Sequence, residues 1–287
     1  MRIAAAAYQM DELSSFEAYA EKIEGWVAEA SSDLLVFPEY GAMELATISG
    51  RAGELEASLH AVSEMVEDAD ALHARLARTH NCHILAASAP VFEDGRPVNR
   101  ARFFSPSGDR SYQDKQIMTR FERETWDVVA GGPLRVFETA LGRIGVLICY
   151  DAEFPLLSRA LVEAGAQVLL VPSCTDSLHG WNRVRVGAMA RALEGQCIAV
   201  QAPTVGACPW SPAVDENRGA AAIYGPPDLG FPADGVLAQG SIDAPGWTRC
   251  EIDSDLVARV RRDGTQHNHH HWVEQGLRRL VEEVRLR

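Results

Sequence analysis

A cysteine lies near the end of an apolar run in the segment GVLICYDAEFP, residues 145–155. Cys149 can act in two ways: as a small apolar residue that ends a buried strand, or as a nucleophile presented at the end of that strand. A catalytic thiol requires a base that accepts its proton and a positive charge that favours the thiolate. The nucleophile hypothesis therefore depends on whether the sequence supplies both partners.

A glutamate and a lysine have the required chemistry. Glu39 follows the apolar segment DLLVFP, and of the 27 lysine and arginine residues only Lys22 and Lys115 are lysines. Lys22 is predicted on the polar, solvated side of an amphipathic helix. Lys115 lies in SYQDKQIMTRFERETW, which has no clear period and is predicted to be a loop. Lys115 is thus the candidate for chemistry that arginine performs poorly, such as losing a proton when desolvated.

These residues are positioned by a predicted α/β arrangement in which apolar strands alternate with helices. The predicted strands are RIAAAAYQM, DLLVFPE, HILAASAPV, RIGVLICY, QVLLVPSC and CIAVQAPTV. Helices are predicted near 14–32, 54–79, 156–165 and 183–195, the first with a capping box from Ser14 and Glu17. The segment LRVFETALGRIGVLI predicts a hairpin with Leu141-Gly142 at its turn. The sheet is therefore predicted to be mixed.

Two of the predicted strands, DLLVFPEY and QVLLVPSC, reach a proline. Proline cannot donate a hydrogen bond to a neighbouring strand, so both strands are predicted to end there. Ligands of open α/β sheets bind outside the carboxyl ends of the strands. Glu39, Cys149 and the pair Ser173-Cys174 are therefore predicted to lie at one edge of the sheet.

Composition and charge argue against several other classes of protein. The 287 residues are 47% apolar and no linker divides them, so one domain over 1–287 is predicted. The formal net charge of −13 argues against a nucleic-acid partner. The apolar segment at the N-terminus is too short for a signal peptide, and no apolar run approaches the roughly 20 residues of a membrane helix. The six cysteines have no CxxC spacing and are expected to be thiols of a cytoplasmic protein.

At these residues the sequence resembles the carbon–nitrogen hydrolase family, also called the nitrilase superfamily. The segment FPEY carries the family's glutamate as Glu39, DKQIMTRFE its lysine as Lys115, and GVLICYDAEFP its cysteine as Cys149. Glu122 matches a second glutamate that follows the lysine in the family. The segment RALEGQ is similar to the family's ARAxENQ, with Gly195 in place of asparagine.

The resemblance implies a four-layer αββα sandwich that forms a homodimer or higher homo-oligomer and uses no metal or organic cofactor. The C-terminal segment, about 255–287, is expected at the subunit contact. Glu39 would be the general base and Cys149 the nucleophile that forms a thioester, while Lys115 and the backbone N–H of Tyr150 would stabilise the oxyanion. The expected supporting or substrate-binding residues are Tyr40, Glu122, Tyr150, Asp151, Ser173 and Cys174.

The resemblance favours an amidohydrolase that cleaves a small linear amide with water and releases ammonia and a carboxylic acid. The pair Tyr150-Asp151 is typical of the family's amidases, whereas nitrile-cleaving members typically continue with Trp-Glu. A nitrilase or an N-carbamoyl hydrolase with the same Glu-Lys-Cys triad is the alternative, and a non-catalytic binding protein is the third hypothesis. Leu156 replaces a glutamate common in the family, so the subgroup stays open.

Three other groups of residues have competing interpretations. The histidines of TQHNHHHW could bind zinc or nickel, but a polar loop is favoured; they are His267, His269, His270 and His271. Cys174 and His179 could form a papain-like pair, although no third residue that would orient the histidine is evident. Arg120 and Arg123 could bind a substrate carboxylate or be solvated surface residues.

Overall fold

A computed structural model describes residues 1–286, and Arg287, the last residue of the predicted domain and of the predicted contact segment, lies outside the described residues. The strands are β1 (Arg2–Gln9), β2 (Leu34–Val36), β3 (His83–Leu85), β4 (Ala89–Glu93), β5 (Arg96–Phe104), β6 (Arg110–Asp114), β7 (Val136–Thr139), β8 (Gly142–Val146), β9 (Val168–Ser173), β10 (Ile198–Ala207), β11 (Glu216–Asn217), β12 (Ala222–Tyr224), β13 (Val236–Gln239) and β14 (Gly246–Glu251). The helices are α1 (Phe16–Ala30), α2 (Leu45–Ile48), α3 (Leu55–His80), α4 (Arg120–Glu124), α5 (Pro155–Glu163), α6 (Leu178–Gly195), α7 (Leu256–Asp263) and α8 (Asn268–His271).

The strands form a mixed sheet whose main order is β4-β5-β3-β2-β1-β10-β9-β8-β7. Strand β1 pairs in parallel with β2 and with β10. The pairs β2–β3, β9–β8 and β9–β10 are also parallel. The hairpin pair of β7 and β8 is antiparallel, which confirms the predicted hairpin. The predicted turn at Leu141-Gly142 is one residue too late, because Gly142 already pairs with Thr139 and the turn is formed by Ala140 and Leu141. Gly142 has a φ of 104°, a left-handed conformation that glycine adopts without strain.

Alternate residues of β1 pack on opposite sides and so separate the layers. Ala4, Ala6 and Tyr8 belong to a core with α1 and α3. Ile3 and Ala5 belong to a second core with residues of β8, β9, β10, α5 and α6. Because side chains alternate along a strand, this arrangement places a helical layer, two sheet layers and a second helical layer in succession. The predicted four-layer αββα sandwich is confirmed.

Helix α1 follows its predicted apolar period, but its N-cap lies one residue later than predicted. Tyr19, Ile23 and Val27 are buried on one face. The N-cap is Ser15, whose hydroxyl accepts a hydrogen bond from the backbone N–H of Ala18. The predicted cap at Ser14 is therefore wrong, because the chain adopts the extended capping conformation at the next serine.

Two further predictions are corrected by the strand boundaries. Strand β9 continues through Pro172 to Ser173, since Pro172 lies opposite Ala202 without having to donate a hydrogen bond. The segment around Lys115 is less irregular than predicted: β6 ends at Asp114, residues 115–119 form the loop, and α4 follows. Among the described helices, none combines the length and the apolar character that crossing a membrane requires.

Candidate active site

The residues that follow several strands line one cavity of about 480 Å³. Glu39 follows β2, Lys115 follows β6, Cys149 follows β8 and Cys174 follows β9. All four line the cavity, together with Glu122 of α4. The structure thus brings together the glutamate, lysine and cysteine on which the sequence interpretation depends.

Cys149 begins the 3₁₀ turn Cys149–Glu153 and is 4% exposed. Its φ of 50° is in the left-handed region, which residues other than glycine rarely adopt and which is frequent at functional sites. Helix α6 packs closely on this turn, because a Cβ atom at Gly187 would come within 2.9 Å of the Ala152 carbonyl oxygen. Arg191 Nη1 donates to the same oxygen at 3.0 Å. The packing of α6 therefore maintains the backbone that carries the thiol.

The carboxylate of Glu39 accepts three hydrogen bonds inside the protein. Lys115 Nζ and Asn99 Nδ2 donate to Oε1 at 2.7 and 2.9 Å, and the backbone N–H of Cys174 donates to Oε2 at 3.0 Å. The next residue, Tyr40, has a φ of 53° and donates its N–H to Ser88 Oγ at 2.9 Å. Glu39 is 1% exposed, so these donors replace water around the carboxylate.

The ammonium of Lys115 lies between two carboxylates. Its Nζ donates to Glu122 Oε2 at 2.6 Å as well as to Glu39, and the lysine side chain is 1% exposed. Glu122 also caps α4, because its Oε2 accepts from the N–H and hydroxyl of Thr119 at 2.8 and 2.9 Å. The hydroxyl of Tyr40 donates to Glu122 Oε1 at 2.8 Å. Both the charge and the position of Lys115 are therefore set by the glutamates.

Burial is the main influence on the protonation of these groups. Burial raises the pKa of the Cys149 thiol well above its ordinary value, the charge of Glu39 raises it further, and Lys115 opposes both. Burial also raises the pKa of Glu39, against the effect of Lys115. Burial opposes charge on Lys115, but the charges of Glu122 and Glu39 outweigh it and hold the lysine pKa well above its ordinary value. The resting site therefore favours a neutral thiol beside a protonated lysine.

Asp151 connects the cysteine turn with the lysine loop. Its carboxylate accepts hydrogen bonds from the backbone N–H groups of Gln116, Ile117 and Ile148, at 3.2, 2.8 and 3.2 Å. Burial raises the pKa of Asp151 to about 7, although the charge of Lys115 and these donors lower it. Asp151 is 1% exposed and is not among the residues that line the cavity. Its contacts hold the cysteine turn and the lysine loop together.

The model of the Carbon-nitrogen hydrolase family matches residues 4–230. The chain belongs to the carbon–nitrogen hydrolase family. The resemblance noted in the sequence is confirmed. The match includes every residue of the glutamate, lysine and cysteine motifs and ends before α7.

Two curated relatives of the chain are longer than the chain itself. It is 34% identical over 269 residues to Probable hydrolase YhcX of Bacillus subtilis (strain 168), and the match covers 92% of this chain and 52% of that protein. It is 35% identical over 141 residues to Deaminated glutathione amidase of Bos taurus, which covers 49% of this chain and 40% of that protein. The chain thus spans about half or less of the length of these relatives.

Solved structures support the fold of this carbon–nitrogen hydrolase. The NitFhit protein of C. elegans has a TM-score of 0.74 at 23% identity, with 91% of this chain and 62% of that chain covered. An amidase from Nesterenkonia sp. has a TM-score of 0.67 at 22% identity, with 95% and 96% covered. At such identities the likeness concerns the fold.

The other residues singled out in the sequence of the hydrolase occupy different places. Tyr40, Tyr150 and Cys174 line the cavity, and the Tyr150 ring packs edge-on against Phe154 with 4.8 Å between centroids. Ser173 is fully buried, does not line the cavity, and its Oγ has no hydrogen-bond partner among the described residues. Substrate contact by Ser173 therefore has no support in the geometry.

Sequence reasoning missed Asn99, a fully buried residue of β5. Its Nδ2 contacts both glutamates, at 2.9 Å from Glu39 and 3.3 Å from Glu122, and its Oδ1 accepts from Ser88 Oγ at 2.6 Å. Asparagine is uncommon in strand interiors, so its position within the strand was the available signal. Sequence reasoning also missed Thr119, the N-cap of α4. Its spacing from Glu122 was the available signal, since it matches a capping box.

The motif departures and competing interpretations have local explanations. Gly195 leaves room for Cys197, whose Sγ would lie 3.0 Å from a Cβ atom at Gly195. The histidine segment contacts α6, because Gln196 Oε1 accepts from the N–H of His269 at 3.1 Å. In the described part of the chain no group of three or more histidine, cysteine, aspartate or glutamate side chains is arranged to hold a metal ion.

The two arginines considered as substrate ligands differ in position. Arg120 lines the cavity, but its Nε donates to both oxygens of Glu124, at 2.9 and 2.8 Å. Arg123 lines a separate depression and donates to the Met118 carbonyl oxygen at 3.0 Å. Cys174 Sγ donates to Asn217 Oδ1 at 3.4 Å, a contact that does not involve His179. The geometry gives no support to a Cys174–His179 pair.

Proposed function

We propose that the chain is a thiol-dependent amidohydrolase that cleaves the carbon–nitrogen bond of a small linear amide. The observation that carries the proposal is the bridge of Lys115 Nζ between Glu39 and Glu122 on the wall of a cavity that also contains Cys149. Family membership and the amidase relatives support the reaction class. The substrate's acyl group is not determined by these contacts.

In the proposed first half-reaction, Glu39 accepts the proton of the Cys149 thiol and the sulfur attacks the amide carbon. The carbonyl electron pair moves onto oxygen, where Lys115 Nζ and the Tyr150 N–H stabilise the charge; each such donor contributes about 3 kcal/mol in comparable sites. The intermediate then expels ammonia, which receives the proton held by Glu39, and a thioester remains. The raised pKa values of Glu39 and Cys149 support transfer of a proton during attack rather than a preformed thiolate.

In the second half-reaction Glu39 accepts a proton from water, and the resulting hydroxide attacks the thioester carbon. The second tetrahedral intermediate expels the thiolate of Cys149, which recovers the proton from Glu39, and a carboxylic acid leaves. The hydrogen bonds from Asn99 and the Cys174 N–H to Glu39 support this role because they orient the carboxylate in both half-reactions.

Nitrile hydrolysis and N-carbamoyl hydrolysis are alternatives that use the same residues and differ in substrate. The pair Tyr150-Asp151 favours the amidase, and the buried contacts of Asp151 with the lysine loop support a structural reason for an aspartate there. A non-catalytic binding protein is disfavoured because Glu39, Lys115 and Cys149 are all present and adjacent to the cavity.

Ammonia release from a panel of amides, nitriles and N-carbamoyl compounds tests the proposal. We expect turnover of a small amide by the wild type, inactivation by iodoacetamide, protection by substrate and full activity in the presence of a chelator. Inactivation by the chelator with recovery on adding zinc would contradict the thiol mechanism, and ammonia from nitriles alone would replace the amidase by a nitrilase.

We also propose, from the family resemblance, a homo-oligomer whose subunits meet near residues 255–286 in the cytoplasm. Support comes from apolar side chains of this segment that are largely exposed: Val273, Leu280, Val281, Val284 and Leu286. Light scattering of the full chain and of a chain that ends at residue 278 tests this contact. An unchanged oligomeric state after truncation would contradict it.

A further inference from the structure

The charged side chains around the mouth of the cavity are unevenly neutralised. Besides the catalytic groups, the lining includes two arginines and four acidic residues: Arg120, Arg183, Glu153, Asp176, Asp215 and Glu216. Arg120 is bound to Glu124, and Arg183 Nε contacts Glu153 Oε1 at 3.4 Å. Both positive charges at the mouth therefore already have a negative partner.

Three carboxylates of the mouth differ in this respect. Within residues 1–286, Asp176, Asp215 and Glu216 form no ion pair with a lysine, arginine or histidine. All three are exposed. The carboxylate of Asp176 accepts a hydrogen bond from the hydroxyl of Ser177 at 3.0 Å. The three carboxylates give the mouth of the cavity a negative charge. Inside the cavity, Glu39 and Glu122 carry two negative charges against the one positive charge of Lys115.

The three carboxylates extend from anchored backbone. Asp176 directly precedes Ser177, the N-cap of α6, whose Oγ accepts from the Gly180 N–H at 3.3 Å. The Asp215 carbonyl oxygen accepts from the Cys208 N–H at 2.7 Å, and Glu216 pairs with Ala207 in β11 and β10. Two segments that are distant in sequence thus present carboxylates to one opening. Because this backbone is fixed, the negative electrostatic potential at the opening follows from the fold.

Aromatic side chains also line the cavity. Phe121 is 40% exposed and Trp126 is buried, and the two rings pack edge-on with 5.2 Å between centroids. Both line the cavity. Aromatic faces and carboxylates both attract a cation, whereas an anion is repelled by the carboxylates and gains nothing from the ring faces.

We infer that the substrate is a linear amide with a primary ammonium group, which Asp176, Asp215 and Glu216 bind at the mouth while its carbonyl carbon lies at Cys149. This inference rests on the proposed amidohydrolase function and adds the charge class of the substrate. An amide that ends in a carboxylate would bring its negative charge to three carboxylates. The two arginines of the mouth would offer such a substrate only positive charges that already have a carboxylate partner.

The test compares three amides of equal chain length: 5-aminopentanamide, pentanamide and glutaramate, which end in an ammonium, a methyl and a carboxylate group. Ammonia release gives kcat/KM at low and at high ionic strength. We expect the ammonium compound to exceed the carboxylate compound by about 100-fold at low salt, because steering and complementarity of charge act on both association and binding. High salt should reduce this ratio, since the mouth is exposed to solvent.

A charge-matched pair of variants assigns the effect to the mouth. The variant Asp176→Asn/Asp215→Asn/Glu216→Gln should lower the ratio by at least about tenfold, because it removes the charges nearest to the ammonium. The control variant Glu21→Gln/Asp68→Asn/Asp94→Asn changes the net charge equally at exposed positions that do not line the cavity. Its ratio should stay within about twofold of the wild type, because distant charges are screened.

Preference for glutaramate would overturn the inference. If the variant Arg183→Gln then lost this preference, Arg183 at the mouth would be the residue that binds the substrate carboxylate. An equal ratio in the wild type and the mouth variant would overturn it as well. If the enzyme cleaves none of the three amides, alkylation of Cys149 still separates the two proposals. The ratio of the labelling rate with 2-bromoethylamine to that with iodoacetate, measured by mass spectrometry, should be higher in the wild type than in the mouth variant.

Such a difference in labelling without amide turnover would contradict the proposed function and support the charge preference. Equal labelling ratios in the two proteins would contradict the charge preference, whether or not amides are cleaved.

Discussion

The two lysines of the chain lie in clusters with the same chemical groups. The Lys115 cluster contains Lys115, Glu39, Glu122 and Tyr40, and the Lys22 cluster contains Lys22, Glu44, Asp11 and Tyr8. In each cluster the ammonium contacts two carboxylates, and a tyrosine hydroxyl donates to one of them. Glu44 is as deeply buried as the site glutamates, and Lys22 Nζ lies 2.6 Å from its Oε2.

A cysteine accompanies each cluster, but access to it differs. Cys149 lines the 480 Å³ cavity. Cys208 is fully buried, and its Sγ contacts the Met10 carbonyl oxygen at 3.8 Å. Burial raises the pKa of Cys208 to about 12, and the charge of Glu44 adds to this effect. Under the proposed function, the same set of groups supports chemistry only where the fold leaves space for a substrate.

The largest difference between the clusters should appear when each cysteine is removed. Cys149→Ala should lower kcat by at least about 10⁴-fold, because the thioester can no longer form. Cys208→Ala should retain turnover and lower the free energy of unfolding by about 1 kcal/mol, since it leaves a small cavity in the core. Steady-state kinetics and thermal melts of both variants measure the contrast. Residual activity of more than a few per cent in Cys149→Ala would remove the nucleophile from the mechanism.

Replacing each lysine by arginine should separate catalysis from stability. Lys115→Arg should lower kcat by about 100-fold or more, because a planar guanidinium cannot place one compact donor on the oxyanion. The sequence predicts almost no effect for Lys22→Arg, but that prediction is wrong in its premise. The Lys22 side chain is only 12% exposed and is held by Glu44 and Asp11.

We therefore expect Lys22→Arg to cost about 1–3 kcal/mol of unfolding free energy through overpacking, with turnover retained. Chemical denaturation and kinetics of the same preparation measure both quantities. Near-normal turnover of Lys115→Arg would contradict a catalytic role for Lys115. Unchanged stability of Lys22→Arg would contradict a structural role for Lys22.

The pH dependence of kcat/KM tests the protonation state of Glu39. The base must be ionised to accept the thiol proton, and burial raises its pKa above the ordinary value of 4.5. Activity should therefore be present above this raised pKa and decline as the pH falls through it, so the acidic limb should lie above pH 4.5. A limb at or below that value in a protein that remains folded would argue against Glu39 as the base.

The smallest effect is expected at Cys174. Its backbone N–H, not its thiol, donates to Glu39, and the thiol contacts Asn217. Cys174→Ser should therefore keep kcat within about twofold, a change of roughly 0.4 kcal/mol in activation free energy. A loss of more than tenfold at unchanged melting temperature would show that the side chain takes part in the reaction. Cys174→Thr is a useful companion, since the added methyl group tests whether the cavity has room there.

The sequence alone determined the features that depend on neighbouring residues and repeating patterns. The apolar period of α1 predicted its buried face, and the segment around Leu141-Gly142 predicted the β7–β8 hairpin. The motifs around Glu39, Lys115 and Cys149 identified the family. These features can be read from nearby residues, because helix and strand geometry fixes which side chains along the chain share a face.

Only the tertiary structure decided which side chains meet. Asn99 reaches Glu39 across 60 residues of sequence, and Lys22 finds Glu44 on a different element. Helical period placed Lys22 on the polar side of α1 correctly, but it could not show that another buried carboxylate lies beside that position. Partners of this kind depend on how the layers are stacked, because hydrogen bonds and ion pairs act over a few ångströms whatever the sequence separation. For the same reason only the fold distinguished the cysteine that lines a cavity from the one enclosed in the core.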